Sequence, residues 1–302
     1  MTVNLGSIYN LLSPGLFAVE GKYKEIDATW KKFYKTSKAT LANEQTASMR
    51  YLGTAVPKTE GGPIYYDNNS GQRFIYNQTH TEVAIGYSIT QPAIVFNQYK
   101  KDFNTSNLGL QKSFSNTKQV YAADVFNSAT TYQTTIGGDG KALCATDHPV
   151  DGGTFANRPT VDTSLNESAI ESALTLIAKF PDNANLLNMT RGRRLIVPRA
   201  KVWDAIRLTK TELRPGTANN DVNAVRSVMG LPDGYEAWDF LTSNYAWFIQ
   251  TDVDGLQHME VTPFKMNMFV DDNTMNLKVT GYEFYSFNYN EPRCLFGSFP
   301  SS

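Results

Sequence analysis

Apolar residues recur with a period of two over residues 83–89, where Val83, Ile85, Tyr87 and Ile89 alternate with Ala84, Gly86 and Ser88. Such alternation predicts a strand with one buried face. Upstream, Pro63-Ile64-Tyr65-Tyr66 and Arg73-Phe74-Ile75-Tyr76 flank the turn-rich run Asp67–Gln72. Two aromatic segments around such a centre predict a hairpin. It has little core of its own, and isolated hairpins are marginal in water. It therefore needs a surface to lie on, in its own domain or on a neighbouring subunit.

The period then changes. Phe96, Tyr99, Phe103, Leu110, Phe114 and Tyr121 are spaced 3, 4, 7, 4 and 7, which predicts one stripe of a long amphipathic helix over 93–131. Gly109 and several Asn and Ser residues lower its helix propensity, so packing of the stripe must hold it. Residues 132–163 are rich in Gly, Thr and Asp and lack a period; a loop of this length is either functional or makes contacts.

Residues 165–260 read as an α/β unit. Ser164–Glu167 caps a helix through Phe180, with Ile170, Leu174 and Ile177 on one face. Leu195-Ile196-Val197 is a short buried strand closed by Pro198, and Lys201–Leu208 is helical. A polar loop over Arg214–Asp221 precedes strands near 235–241 and 246–251. Farther on, Phe264, Met266, Met268 and Val270 alternate, Asp271–Thr274 turns, and Leu277 and Val279 start the return.

Composition narrows the classes. The 302 residues are 41% hydrophobic and 12% aromatic, enough for a large core, and the formal net charge is −1. Neutrality of this kind excludes a polyelectrolyte. Locally, Lys22, Lys24, Lys31, Lys32, Lys35 and Lys38 face only Glu25 and Asp27, so the N-terminal arm is basic: a solvated face or a segment beside nucleic acid. The N-terminus lacks the basic start and apolar stretch of a secretory signal, and no apolar run is long enough to span a membrane.

The densest candidate chemistry is Gly137–Pro149, which holds Cys144, Asp147 and His148. Cys144 and His148 stand at i and i+4, a spacing that brings side chains together only on a helix. Glycines on both sides and Pro149 after the histidine oppose a helix. The segment is expected to be a surface contact loop, with a cytoplasmic thiol-dependent enzyme using Cys144 and His148 as the alternative. A phosphate loop fails at Thr135 and Ala142, where a glycine and a hydroxyl residue are required. His80, His148 and His258 show no metal-ligand spacing, and Asp271-Asp272-Asn273 lacks the glycine and terminal glutamate of a calcium loop. Cys144 and Cys294 are expected as free thiols in a reducing compartment. No residue is assigned a catalytic, cofactor or metal role, and no cofactor is expected.

The order of parts resembles the major capsid proteins of tailed bacteriophages, which have the Hong Kong 97 phage fold, with the Mu-like major head subunits as the nearest type. The likeness lies in Gly140–Pro149, Gly152-Gly153, Asn157, Leu195–Pro198, Asn219–Asn223 and the Gly281–Gly297 region. It implies an α+β subunit with an N-terminal arm (1–48), an extended hairpin loop (49–80) and a peripheral domain with a spine helix (81–164). An α/β axial domain (165–260) and returning peripheral strands (261–302) complete it. The resemblance further implies a non-enzymatic protein made in the host bacterial cytoplasm and located in the virion. Its copies would form hexamers and pentamers of an icosahedral shell, touching packaged double-stranded DNA without sequence preference. Portal, scaffolding and decoration proteins are the other implied partners, with no membrane. Because the chain begins close to the arm, the scaffold is expected to be a separate protein.

Overall fold

Two long strands and one long helix frame the protein. A computed structural model describes residues 28–96, 99–212, 223–226 and 230–301. Lys22, Lys24 and the Arg214–Asp221 loop, with Asn219–Val222, lie outside the described residues.

Strands β1 (Lys35–Lys38), β2 (Asn43–Arg50), β3 (Gly71–Thr79) and β4 (Thr81–Ile89) come first. Helices α1 (Gln91–Val95) and α2 (Tyr99–Asn127) follow, then the short hairpin β5 (His148–Val150) and β6 (Gly153–Phe155). The second half runs α3 (Glu167–Ile177), β7 (Gly192–Val197), α4 (Val202–Lys210), β8 (Tyr235–Ala237) and β9 (Trp247–Thr251). It ends with β10 (Leu256–Val270), β11 (Leu277–Tyr289) and β12 (Leu295–Ser298).

Of the two four-stranded sheets, one has the order β1-β10-β11-β4 and the other β12-β9-β7-β8, while β2-β3 and β5-β6 pair separately. β10 and β11 form the long antiparallel pair, and the ladder slips between Glu260 and Lys265. Pro263 sits in that slip, because proline cannot donate to a ladder and is tolerated at a bulge. β10 crosses the 260/261 boundary expected from the sequence, and β12 carries residues 295–298 back to the α/β sheet.

The helix stripe holds at Phe103, Leu110 and Phe114, which pack on Phe264, Met266, Leu277 and Val279. Farther along it departs from expectation. Tyr121 is exposed, and Lys118, Ala122, Phe126 and Ala129 are buried instead. Steps of four from Phe114 reach Lys118, Ala122 and Phe126, so the row continues through small and charged residues that an apolar pattern passes over. Phe96, also read as part of the stripe, is 72% exposed where α1 ends; the side chain of Tyr99 lies outside the described residues.

Around α3, Ile170, Ala173 and Ile177 pack on Leu195, Val197, Ala205 and Leu208. The N-cap is Asn166, whose Oδ1 accepts from the Ala169 N–H at 2.8 Å. A third core joins the two sheets through Trp30, Phe33, Phe126, Trp238, Phe248, Cys294 and Leu295. The glycines of the C-terminal region allow close approach there. A Cβ on Gly281 would fall 2.8 Å from the Phe114 ring, and one on Gly297 2.9 Å from the Cys144 Sγ.

Candidate assembly surface

β2 and β3 pair antiparallel from Asn43–Thr79 to Arg50–Gly71. The hairpin therefore exists, but its first strand is Asn43–Arg50 and not the expected Pro63–Tyr66, which forms no strand. Nothing periodic marks Asn-Glu-Gln-Thr-Ala-Ser-Met-Arg as a strand; both of its faces are largely polar.

Residues 51–70 form the tip. Leu52, Val56, Ile64, Tyr65 and Tyr66 are each more than half exposed. With Tyr51, also 68% exposed, six large apolar side chains stand open on one loop, an interaction surface by the ordinary logic of burial.

The root of this tip loop is fixed by charge. Arg50 Nη1 lies 3.2 Å from Asp67 Oδ2, and Asp67 also accepts from the backbone N–H of Gly53 at 2.8 Å and Asn69 at 3.0 Å. Those backbone donors, then Arg50, hold the Asp67 carboxyl below the usual range. Asp151, beside β5, takes an ion pair from Arg50 and another from Arg73 at 2.5 Å. The Arg50 hydrogen bond, aided by the Arg73 charge, depresses its pKa. Asn183 completes the root: its Nδ2 donates to Ser48 Oγ at 2.6 Å and to the Met49 carbonyl at 2.8 Å. Both strands of the hairpin are thus tied to the body while the tip projects. Sequence reasoning missed Arg50, Arg73, Asp151 and Asn183. Apart from Asp67, 17 residues from Arg50, their partners in the body stand 78 to 135 residues away, and no local pattern signals such pairs.

The Gly137–Pro149 segment is not the expected surface loop. Leu143, Cys144 and His148 are each 1% exposed, and Asn157 is fully buried. His148 Nδ1 lies 2.6 Å from Asp139 Oδ2, and its Nε2 lies 3.1 Å from Asn157 Oδ1. Asn157 Oδ1 also accepts from the Ala145 N–H at 2.8 Å. Its Nδ2 donates to the carbonyls of Leu143 at 2.7 Å, Pro292 at 2.8 Å and Leu295 at 3.0 Å. The segment is a buried buckle that locks the chain after α2 to the C-terminal strand.

This geometry bears on the thiol reading. His148 is engaged by Asp139 and Asn157, and burial pushes the Cys144 and Cys294 thiols up. A reactive cysteine needs the opposite shift and access. Lys141 pairs with Asp147 at the rim of the buckle. Among the described residues no group of three or more His, Cys, Asp or Glu side chains is placed to hold a metal ion. No helix among them is long and apolar enough to cross a membrane.

The described lysines of the basic arm are partly spoken for. Lys32 pairs with Glu236 at 2.7 Å and Lys35 with Asp254 at 2.9 Å. Lys32 thus pairs with β8 and Lys35 with the turn between β9 and β10, both at the surface.

Comparison with known proteins gives one consistent picture. The family model for the phage capsid protein matches residues 77–296. No curated protein matches the chain. Among solved structures, one from Microbacterium phage Oxtober96 is 10% identical, covers 100% of both chains and superposes with a TM-score of 0.55. The capsid of a native GTA particle is 7% identical, with 91% and 92% of the two chains covered and a TM-score of 0.59. The mature capsid of bacteriophage PhiM1 is 11% identical, with 89% and 85% covered and a TM-score of 0.56. At such identities the likeness is one of fold.

Proposed function

The chain belongs to the phage capsid protein family as a major capsid protein of the virion, a structural part and not an enzyme, and we propose that its copies join through the projecting hairpin. The fold is the α+β, Hong Kong 97-like capsid fold. On this reading the copies form rings of five and six in an icosahedral shell around double-stranded DNA. Residues 49–80 are the extended loop, whose tip, 51–70, lies across a neighbouring subunit, and residues 165–260 face the ring axes. Residues 81–164 and 261–302 make the periphery, with 1–48 as the arm. Scaffolding, portal and decoration proteins are partners of the same shell.

The observation that carries the proposal is the tip. Leu52, Val56, Ile64, Tyr65 and Tyr66 stand exposed on a loop whose root is held by buried or half-buried ion pairs. A stable contact between proteins buries on the order of 1,200–2,000 Å² in total, and aromatic side chains concentrate its energy. A rigid root with an apolar tip supplies both area and anchors.

Replacing residues 54–66 with a short Gly-Ser turn tests this. It spares Gly53, Asp67 and the root. The expected product folds, with the circular dichroism and melting of the parent, but sediments as small species with no particles. Shells forming at the parent's yield would overturn the proposal.

A further inference from the structure

His258, on β10, is 2% exposed and lies under the arm segment 28–38. Trp30 covers it at 4.4 Å between ring centroids, and Phe287 and Tyr285 of β11 flank it at 4.6 and 5.9 Å. Its Nδ1 has only a long contact, 3.4 Å to Thr36 Oγ1 of β1, and its Nε2 has no hydrogen-bond partner among the described residues. The charged groups on its side are Lys31, Lys118, Glu283 and, two residues along β10 opposite Tyr285, the half-buried Glu260. Lys31 stands on the arm beside Trp30, and Lys118 of α2 reaches the same Tyr285 ring at 5.0 Å. The carboxylate on that face of β11, Glu283, is held by Lys118 at 2.8 Å. Among the described residues an imidazolium in this seat has no carboxylate within ion-pair distance, only the long contact to the Thr36 hydroxyl.

We propose that His258 makes the seat of the N-terminal arm acid-releasable: the arm closes over a neutral imidazole, and protonating it requires the arm to lift. The clasp stands on the chain's own geometry and holds whether or not the hairpin joins the copies. In the closed seat burial pushes the His258 pKa down to about 3, and the charges of Lys118 and Lys31 push the same way. Above the ordinary histidine value of about 6.5, open and closed states are both neutral and pH changes nothing. Below it the open state binds a proton that the closed state refuses, so closure weakens as pH falls from about 6.5 towards 3. At about pH 5 the opening constant is expected to be about thirtyfold larger than at about pH 7.5.

Hydrogen exchange of the full-length protein, read by mass spectrometry and corrected for intrinsic rates, tests the clasp. Amides of 28–38 should lose about thirtyfold in protection at the lower pH, while amides of α3 and β7 keep theirs. His258→Phe, which keeps an aromatic ring in the seat, should abolish the difference; His258→Gln offers a second neutral side chain should the first variant not fold. Equal protection of the parent at both pH values would overturn the proposal, whatever the variants do. So would an undiminished pH effect in either folded variant.

Discussion

Asn157→Ala is expected to cost about 4 kcal/mol or more in a denaturant titration, a large share of the stability of an ordinary domain. The reason is the number of groups it serves. One fully buried side chain satisfies the carbonyls of Leu143, Pro292 and Leu295, the Ala145 N–H and the His148 ring. Each buried polar group left without a partner costs about 1–3 kcal/mol, and an alanine leaves several at once. The loss would also free the C-terminal strand, since two of those carbonyls lie at residues 292–295. A loss below about 1 kcal/mol, the scale of one ordinary hydrogen bond, would show that the buckle is not a structural lock.

Lys118→Met is expected to cost about 3–5 kcal/mol, because it leaves the Glu283 carboxylate buried without its cation. The two groups are 2.8 Å apart, and their side chains are 3% and 1% exposed. The pair joins the long helix to β11 beside the Tyr285 ring. Replacing both partners, Lys118→Met with Glu283→Leu, should recover most of the loss, since apolar pairs of similar volume often substitute for buried ion pairs at little cost. A thermodynamic cycle over the two single variants and the double variant measures this coupling. Independent, additive effects would contradict the assignment.

Legibility of the chain follows how locally each element is determined. The second half of β10 and most of β11 alternate because one face packs on the core, whereas in β4 the expected face holds only in part: Ile89 is buried but Ile85 is exposed. α3 shows its 3.6-residue period for the same reason. β2 could not be read, because a polar hairpin strand is specified by its partner and by Asp151 and Asn183 far along the chain. Ile64, Tyr65 and Tyr66 misled in the opposite direction: an apolar run that serves an external surface has the composition of a core strand. In the buckle, glycine and aspartate suggested solvent. Burial is possible there because Asp139, His148 and Asn157 satisfy one another and the surrounding backbone. The basic arm likewise read as free charge, whereas Lys32 and Lys35 find Glu236 and Asp254 at separations of 204 and 219 residues. Long-range pairing of this kind leaves no trace in a local window.

Electron microscopy of the full-length protein, expressed alone and with its neighbouring genome products, bears most directly on the claim that this is a shell subunit. The account predicts closed particles of uniform size whose surface lattice shows clusters of five and six subunits. Protein that stays monomeric in virion-like salt, by microscopy and light scattering alike, with and without those neighbouring products, would contradict it.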